Sequence, residues 1–135
     1  MSIPRSVIEI RRLIGVARRE LADAALEGLS PDGSFEHAYV AALTAATILI
    51  RAHGERIHGV EHHRLTFVRL GELVGGRWAK AAGYLQHCRV RRNTSMYDLA
   101  GSVSAAEAQD LRLQAEQLLT EVGNWLRSER PALVP

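Results

Sequence analysis

SFEHAYVAALTAATILIRA, residues 34–52, is the stretch that decides the fold. Its apolar residues cover nearly the whole circumference of a helix. They form one seam of Phe35, Ala38, Ala42, Ala45 and Leu49 and, beside it, a second seam of Tyr39, Leu43, Ala46 and Ile50. A helix that is apolar on almost every side needs neighbours on almost every side. We therefore predict that this segment, with Ser34 as its N-cap, is the central helix of a bundle.

Four further segments show helical periodicity and complete the predicted bundle. They cover about residues 4–27, 60–74, 77–92 and 104–128. Turn signals at 30–33 and at Gly75-Gly76 separate them, and Ser104 with Glu107 forms a capping box for the last helix. No alternating strand pattern competes. The sequence thus predicts one all-α domain over residues 1–135, an up-and-down bundle of about five helices whose sequential members are mostly antiparallel neighbours.

Composition and charge indicate the cellular compartment in which the protein is expected. Apolar residues make up 47% of the chain, which is well above the content of a disordered protein. The single cysteine, Cys88, excludes an intrachain disulfide and fits a reducing compartment. Arginines interrupt the apolar residues of the N-terminus, unlike a signal peptide, and the uncharged run 38–50 is shorter than the about 20 residues that span a bilayer. We expect a cytoplasmic protein without a membrane partner.

Positive charge is concentrated near the end of the fourth predicted helix. Between Leu73 and Met96 there is no acidic residue, whereas five cationic residues fall there: Arg77, Lys80, Arg89, Arg91 and Arg92. Such a patch could attract phosphate. A solvated helix face is the alternative interpretation.

Helical phase separates the last three of these arginines. Arg92 continues the packing stripe of Trp78, Ala81, Leu85 and Cys88, Arg89 lies on a neighbouring line, and Arg91 points away from both. An arginine at the end of a buried stripe needs an anionic or carbonyl partner. Arg92 could bond the carbonyl groups of its own helix or Asp98, or it could be held rigidly to grip a phosphate with its planar fork.

Other chemistries find less support in the sequence. His58, His62 and His63 lie close together, but no helical histidine pair has a helpful carboxylate and no CxxC motif occurs. We therefore predict no metal site and no cofactor, and we assign these histidines to a polar linker and a helix start. Ser95 and Ser102 lack obvious histidine and acid partners, and there is no phosphate-binding glycine-rich loop of the P-loop type.

Three pieces, taken together, resemble the HEPN superfamily, the higher-eukaryote and prokaryote nucleotide-binding domain. They are FEHAYVAAL at 35–43, HGV at 58–60 with FVRLGEL at 67–73, and RNTSMYD at 92–98 with VSAAEA at 103–108. The last piece is the most specific, because an arginine, a short polar spacer, Tyr-Asp and a capped final helix follow in order. The resemblance covers about residues 34–128.

The resemblance implies a small helical bundle, often a homodimer, that works in toxin–antitoxin or defence systems and is often paired with a small nucleotidyltransferase. Many members are metal-independent endoribonucleases whose motif is an arginine, a polar residue and then a histidine. Arg92 and Asn93 match its start, but Tyr97 stands where the histidine is expected. An unperturbed tyrosine titrates near about pH 10, which makes it a poor base at neutral pH.

We therefore expect a HEPN-like protein that binds RNA or nucleotide phosphate and carries a degenerate ribonuclease motif. The predicted binding residues are Arg89, Arg91, Arg92, Asn93 and Asp98. One alternative is a non-catalytic interaction protein, or dimerising partner of a small nucleotidyltransferase, in which the motif is a structural staple. The other is a weak metal-independent endoribonuclease with Arg92 and Tyr97 as catalytic residues.

Overall fold

A computed structural model describes residues 2–94 and 101–134. Within these residues the chain forms five α-helices and no strand, which confirms the predicted all-α bundle. The helices are α1 Arg5–Ala24, α2 Pro31–Ala52, α3 His62–Glu72, α4 Ala79–Asn93 and α5 Ala105–Glu129. Two short 3-10 segments, Leu73–Gly76 and Pro131–Leu133, follow α3 and α5.

The central position of α2 follows from its composition, as predicted. It packs against each of the other four helices, and both predicted seams contribute to the core. Its many alanines let the neighbouring backbones approach closely. By length and composition alone, the 22-residue α2 could also cross a membrane, although the uncharged run at 38–50 is shorter. The bundle instead buries most of its apolar side chains, so most of the apolar surplus that could have served a partner is used inside the fold.

The start of α2 differs from the prediction. Ser30, rather than Ser34, is the N-cap, and its Oγ accepts a hydrogen bond from the Gly33 amide at 3.1 Å. Pro31 then occupies the first turn of the helix, where its fixed φ suits the helix and its missing N–H costs nothing. The Ser-Pro-Asp-Gly segment is therefore a helix start and not a separate turn. Ser34 Oγ instead donates to the carbonyl of Ala24, at the end of α1, at 2.7 Å.

The direction of α3 also differs from the prediction. Its first turn lies beside Tyr39, yet Arg69, near its end, pairs with Glu55 just beyond the end of α2. Therefore α3 runs in the same sense as α2, because residues 53–61 carry the chain back along the bundle. The expectation that sequential helices are antiparallel fails for this pair. The consequence is that the first turn of α3 lies next to the last turn of α4.

The close packing of α3 against α4 explains why a glycine, which is unfavourable inside a helix, occurs in α3. A Cβ atom at Gly71 would lie 3.1 Å from the Cβ of Ala82, so a larger residue would require the two helices to move apart by a few tenths of an ångström. After α3 the chain reverses through a segment with positive φ at Val74, Gly75 and Gly76. The predicted termination by the glycine pair is thus confirmed.

The capping box of α5 is present as predicted. Ser104 Oγ accepts from the Glu107 amide at 3.0 Å, and a Glu107 carboxylate oxygen accepts from the Ser104 amide at 3.1 Å. The predicted seam of the helix is buried throughout: Leu111, Ala115, Leu118, Val122 and Trp125. The capping box therefore defines where α5 begins, near the end of α4. The buried seam packs α5 along α2.

Candidate functional site

A cleft of about 280 Å³ lies between the start of α3 and the end of α4. We call it the α3–α4 cleft, and it is lined by Val60, Glu61, His62, His63, Arg64, Arg89, Arg92 and Asn93. It brings together three residues of the predicted binding set, Arg89, Arg92 and Asn93. It also adds two histidines that the sequence alone assigned to a polar linker and helix start.

Arg92 is held by a carboxylate from the central helix. Its Nε and Nη2 donate to the two carboxylate oxygens of Glu36 at 2.8 and 2.9 Å. Its guanidinium carbon also lies 5.1 Å from the centre of the buried Tyr39 ring. A bidentate pair above an aromatic face fixes the direction of the guanidinium. The anionic partner that the packing stripe required is thus provided by Glu36, whereas Asp98 lies outside the described residues.

Arg89 is oriented by a neutral side chain. Its Nε donates to the side-chain oxygen of Gln86 at 2.9 Å. The amide nitrogen of Gln86 in turn donates to the backbone carbonyl of Arg64 at 2.9 Å, which ties α4 to the first turn of α3. Among residues 2–94 and 101–134, no carboxylate lies within ion-pair distance of Arg89. Arg89 therefore presents to the cleft a positive charge that no described acid neutralises.

His63 is held in place by a hydrogen bond to Tyr39 of the central helix, α2. Its Nδ1 lies 3.1 Å from the hydroxyl of Tyr39. Burial raises the pKa of Tyr39 to about 12, so the phenol keeps its proton at neutral pH. Burial lowers the pKa of His63, and the nearby positive charges of Arg92 and Arg89 lower it further. His63 is therefore neutral at pH 7, with its ring orientation set by Tyr39.

His62 faces the same cleft with a defined tautomer. Its Nδ1 lies 3.1 Å from the carbonyl oxygen of Gly59, a contact in which the ring N–H must donate. In the neutral ring this leaves the lone pair on Nε2. The His62 and His63 rings are nearly perpendicular, with centres 4.4 Å apart. The α3–α4 cleft thus holds two adjacent imidazoles beside the fixed arginines.

The charges around the cleft leave a positive excess. Glu61 pairs with Arg64 at 3.0 Å, and that contact lowers the pKa of Glu61. Glu36 pairs with Arg92. With two carboxylates already paired with two arginines, the charge of Arg89 remains, and protonation of His63 adds a further charge as the pH falls. The cleft is therefore suited to an anion.

The other predicted cations lie elsewhere. Arg91 projects toward α5, where its Nε donates to Glu107 at 2.7 Å and a terminal nitrogen donates to the carbonyl of Ser102. It lines a separate cavity of about 100 Å³ together with His87. Arg77 and Lys80 line a groove between α4 and α5. In the described part of the chain, the acid-free stretch is therefore no single patch, and it contributes to the cleft through Arg89, Arg92 and Asn93 in the last turn of α4.

Tyr97 and Asp98, together with Ser95, lie outside the described residues. Their predicted roles in catalysis and binding stay predictions. The described part of the site consists instead of Arg89, Arg92 and Asn93 from α4, His62 and His63 from α3, and Glu36 and Tyr39 from α2. His62, His63, Glu36 and Tyr39 were missed as site residues, and their only sequence signal was a histidine pair at a helix start.

A second group of potential ligands lies between α1 and α2. Atoms of Glu20, Asp23 and His37 lie within 4.8 Å of one another, and His37 Nδ1 is 2.7 Å from a Glu20 carboxylate oxygen. This is not the histidine group, 58–63, that the sequence placed close together. The hydrogen bond between Glu20 and His37 accounts for two of the three side chains as an interhelical contact.

Comparison with known proteins provides no further guide. No protein-family model, no curated protein and no solved structure matches the chain. The resemblance to the HEPN superfamily is therefore a prediction from the residues at 34–128. The functional interpretation depends on the geometry of the α3–α4 cleft.

Proposed function

We propose that the chain binds RNA, or the phosphate of a nucleotide, in the α3–α4 cleft. The observation that carries this proposal is Arg89, a guanidinium oriented by Gln86 and without a described carboxylate partner, next to the fixed Arg92. Guanidinium and amide N–H groups are the donors that proteins use to hold phosphate oxygens. Asn93 at the end of α4 adds an amide side chain to the same lining.

The size of the cleft favours a phosphate group over a whole enclosed nucleotide. At about 280 Å³ it lies at the lower edge of the roughly 300–1,000 Å³ of small-molecule pockets. A phosphate with part of its sugar could enter, while the base and the neighbouring nucleotides would extend along the surface. A strand of RNA meets this condition better than a small ligand that needs enclosure. The toxin–antitoxin or defence setting is proposed on the HEPN resemblance alone.

Fluorescence anisotropy with a short single-stranded RNA at low and moderate salt tests the binding. We expect affinity to fall with salt, and Arg89→Gln to weaken binding about fivefold or more and to reduce the salt slope by about one. Lys80→Gln is the matched control, because it removes one charge from the same helix outside the cleft. Equal effects of the two substitutions, or affinity that ignores salt, would contradict the proposal.

A second candidate function is metal-independent cleavage of RNA. The observation that favours it is the pair of imidazoles beside Arg89 and Arg92, since histidine is the side chain best suited to move protons near pH 7. In this proposal the spatial neighbours His62 and His63 would fill the role for which the sequence offered only Tyr97.

The chemistry would run through the ribose 2′-hydroxyl. His62 Nε2, whose lone pair is free of the Gly59 contact, would take the 2′ proton as the 2′-oxygen attacks phosphorus. The bond to the 5′-oxygen would break, and His63, in the protonated form that grows as the pH falls, would donate a proton to that leaving oxygen. Arg89 and Arg92 would stabilise the negative charge of the five-coordinate phosphate. The products would be a 2′,3′-cyclic phosphate and a 5′-hydroxyl.

Incubation of purified protein with RNA in the presence of a chelator decides between binding and cleavage. Cleavage is expected to yield cyclic phosphate ends and to be lost in His62→Ala and in His63→Ala. His87→Ala is the control, because His87 lies in the separate cavity with Arg91. Cleavage that is unchanged in the two cleft variants would identify a contaminant, and binding without cleavage would leave the first proposal alone.

The interaction-protein alternative has a narrower basis than the sequence suggested. Its proposed surface was the apolar surplus of α2, most of which the bundle buries. A homodimer or a nucleotidyltransferase partner is therefore proposed on the resemblance alone. Light scattering of the purified chain would show whether it forms a dimer.

A further inference from the structure

An apolar groove of about 590 Å³ runs between α1 and α5, away from the α3–α4 cleft. Ile48 of α2 lines it, and Ile48 is nine residues, or about two and a half helical turns, from Tyr39 beneath the cleft, so the two point to opposite sides of α2. The apolar lining is Ile14, Ile48, Leu119, Val122, Leu126 and Val134. The volume is typical of pockets that bind small molecules.

Two arginines flank this groove from opposite walls, Arg18 on α1 and Arg127 on α5. Among residues 2–94 and 101–134, no acidic side chain lines the groove. Arg127 donates to the side-chain oxygen of Asn124, and neither guanidinium has a carboxylate partner within residues 2–94 and 101–134. The groove therefore combines an extended apolar floor with two positive charges that no described acid balances.

Gly123 keeps the α5 wall open. It lies one turn before Arg127, and a Cβ atom at position 123 would be 3.6 Å from Arg127 Nη1. The guanidinium thus lies back along α5 over the glycine, in the groove. A larger residue at position 123 would narrow the groove and would also displace the guanidinium of Arg127. The glycine is otherwise a poor choice for a helix interior, since alanine would favour the helix by about 1 kcal/mol.

We propose that this groove binds an anionic amphiphile of the fatty-acid class. Its acyl chain would lie on the apolar lining, where burial removes it from water. Its carboxylate would accept hydrogen bonds from Arg18 and Arg127. The described lining contains no acid, which disfavours a cationic amphiphile. It also contains few hydrogen-bonding groups beyond the arginines and Thr120, which disfavours a sugar or a nucleotide. This proposal is independent of RNA binding.

Calorimetric titration with dodecanoate below its micelle concentration tests the proposal. Saturable binding of one molecule per chain is expected. Dodecyltrimethylammonium, which has the same tail and the opposite charge, should bind about tenfold more weakly or not at all. Arg18→Gln with Arg127→Gln should weaken dodecanoate binding by about tenfold or more, and Arg19→Gln, a neighbouring arginine outside the groove lining, should not.

Gly123→Leu provides a test by volume. It should abolish dodecanoate binding while the circular dichroism spectrum stays that of the wild type; the arginine pair serves if this variant does not fold. Absence of saturable binding, equal affinity for both head groups, or binding unaffected by the arginine substitutions would overturn the proposal. So would light scattering in which wild type is a dimer and Gly123→Leu a monomer, since a second copy would then fill the groove.

Discussion

The guanidinium of Arg92 and the carboxylate of Glu36 form a two-point hydrogen bond between α4 and α2, with nitrogen–oxygen distances of 2.8 and 2.9 Å. The pair is largely enclosed, with the Arg92 side chain 16% exposed and Glu36 31% exposed. It fixes the end of α4 against the central helix. The α3–α4 cleft therefore depends on a contact between residues that are far apart in the sequence.

Arg92→Gln should lower the free energy of unfolding by about 1–3 kcal/mol, because it leaves the half-buried Glu36 carboxylate without its charged donor. Urea denaturation measures this loss. Arg89→Gln is the control on the same helix and should change stability by less than about 0.5 kcal/mol, since no described carboxylate depends on Arg89. Glu36→Gln added to Arg92→Gln should recover part of the loss. Equal destabilisation by the two arginine variants would contradict the structural role of Arg92.

Protonation of His63 should make the folding stability and the RNA affinity change with pH in opposite directions. Its pKa in the folded protein is lowered by burial and by the positive charges of Arg92 and Arg89. The stability that its neutral form contributes is therefore present above the unfolded pKa of about 6.5 and is lost as the pH falls through 6.5 toward the folded value. A bound phosphate would favour the imidazolium, so RNA affinity should rise over the same fall in pH.

The two curves are measured by thermal unfolding without RNA and by anisotropy with RNA, between about pH 7.5 and 5.5. His63→Ala should reduce the pH dependence of both the stability and the RNA affinity. His87→Ala, in the separate cavity, should leave both pH dependences unchanged. An RNA affinity that is independent of pH in wild type would show that His63 does not face the bound phosphate.

Much of the fold could be predicted because it depends on local patterns. The apolar circumference of residues 34–52 predicts a central helix, and Ser104 with Glu107 predicts the start of α5, since both signals act within a few turns of one helix. The N-cap of α2 was missed because Ser30 and Ser34 both suit a cap. Pro31 decides between them through its preference for the first turn.

The site was less predictable because it depends on contacts between distant segments. Helical phase correctly assigned Arg92 to a packing face, but nothing in the local pattern identifies Glu36 as its partner. His62 and His63 reach the cleft because α3 runs in the same sense as α2, and a periodicity argument contains no information about that direction. The expected antiparallel order would have placed the start of α3 at the other end of the bundle.

Replacement of Gly71 should destabilise the protein because α3 and α4 pack closely at this position. A methyl group at this position would lie 3.1 Å from the Cβ of Ala82 on α4, so Gly71→Ala should destabilise the protein by about 1 kcal/mol or more despite its better helix propensity. Gly83→Ala is the matched control in α4, where a new Cβ meets nothing within 4 Å, and it should stabilise by up to about 1 kcal/mol. Chemical denaturation that gives both variants the same sign would show that α3 and α4 do not approach so closely.

Glu107 should make part of the stability sensitive to acid. Its contact with Arg91, together with the backbone hydrogen bond from Ser104, lowers its pKa to about 2. A lowered carboxyl pKa contributes stability that is fully present above the unfolded value of 4.5 and is lost as the pH falls toward 2. Glu107→Gln keeps a side chain that suits a capping box but removes the charge. It should therefore lower the urea midpoint at pH 7, and the difference from wild type should shrink as the pH falls from 4.5 toward 3.

Glu116→Gln distinguishes this contact from an ordinary exposed pair. Glu116 lies on the same helix and faces Arg112 at 3.6 Å, one turn away, with the glutamate side chain 47% exposed. Such a pair contributes little, so its loss should leave the urea midpoint nearly unchanged at every pH. If Glu107→Gln behaved in the same way, Arg91 would not be committed to the start of α5. It would then be available to an anion after all, as the sequence first suggested.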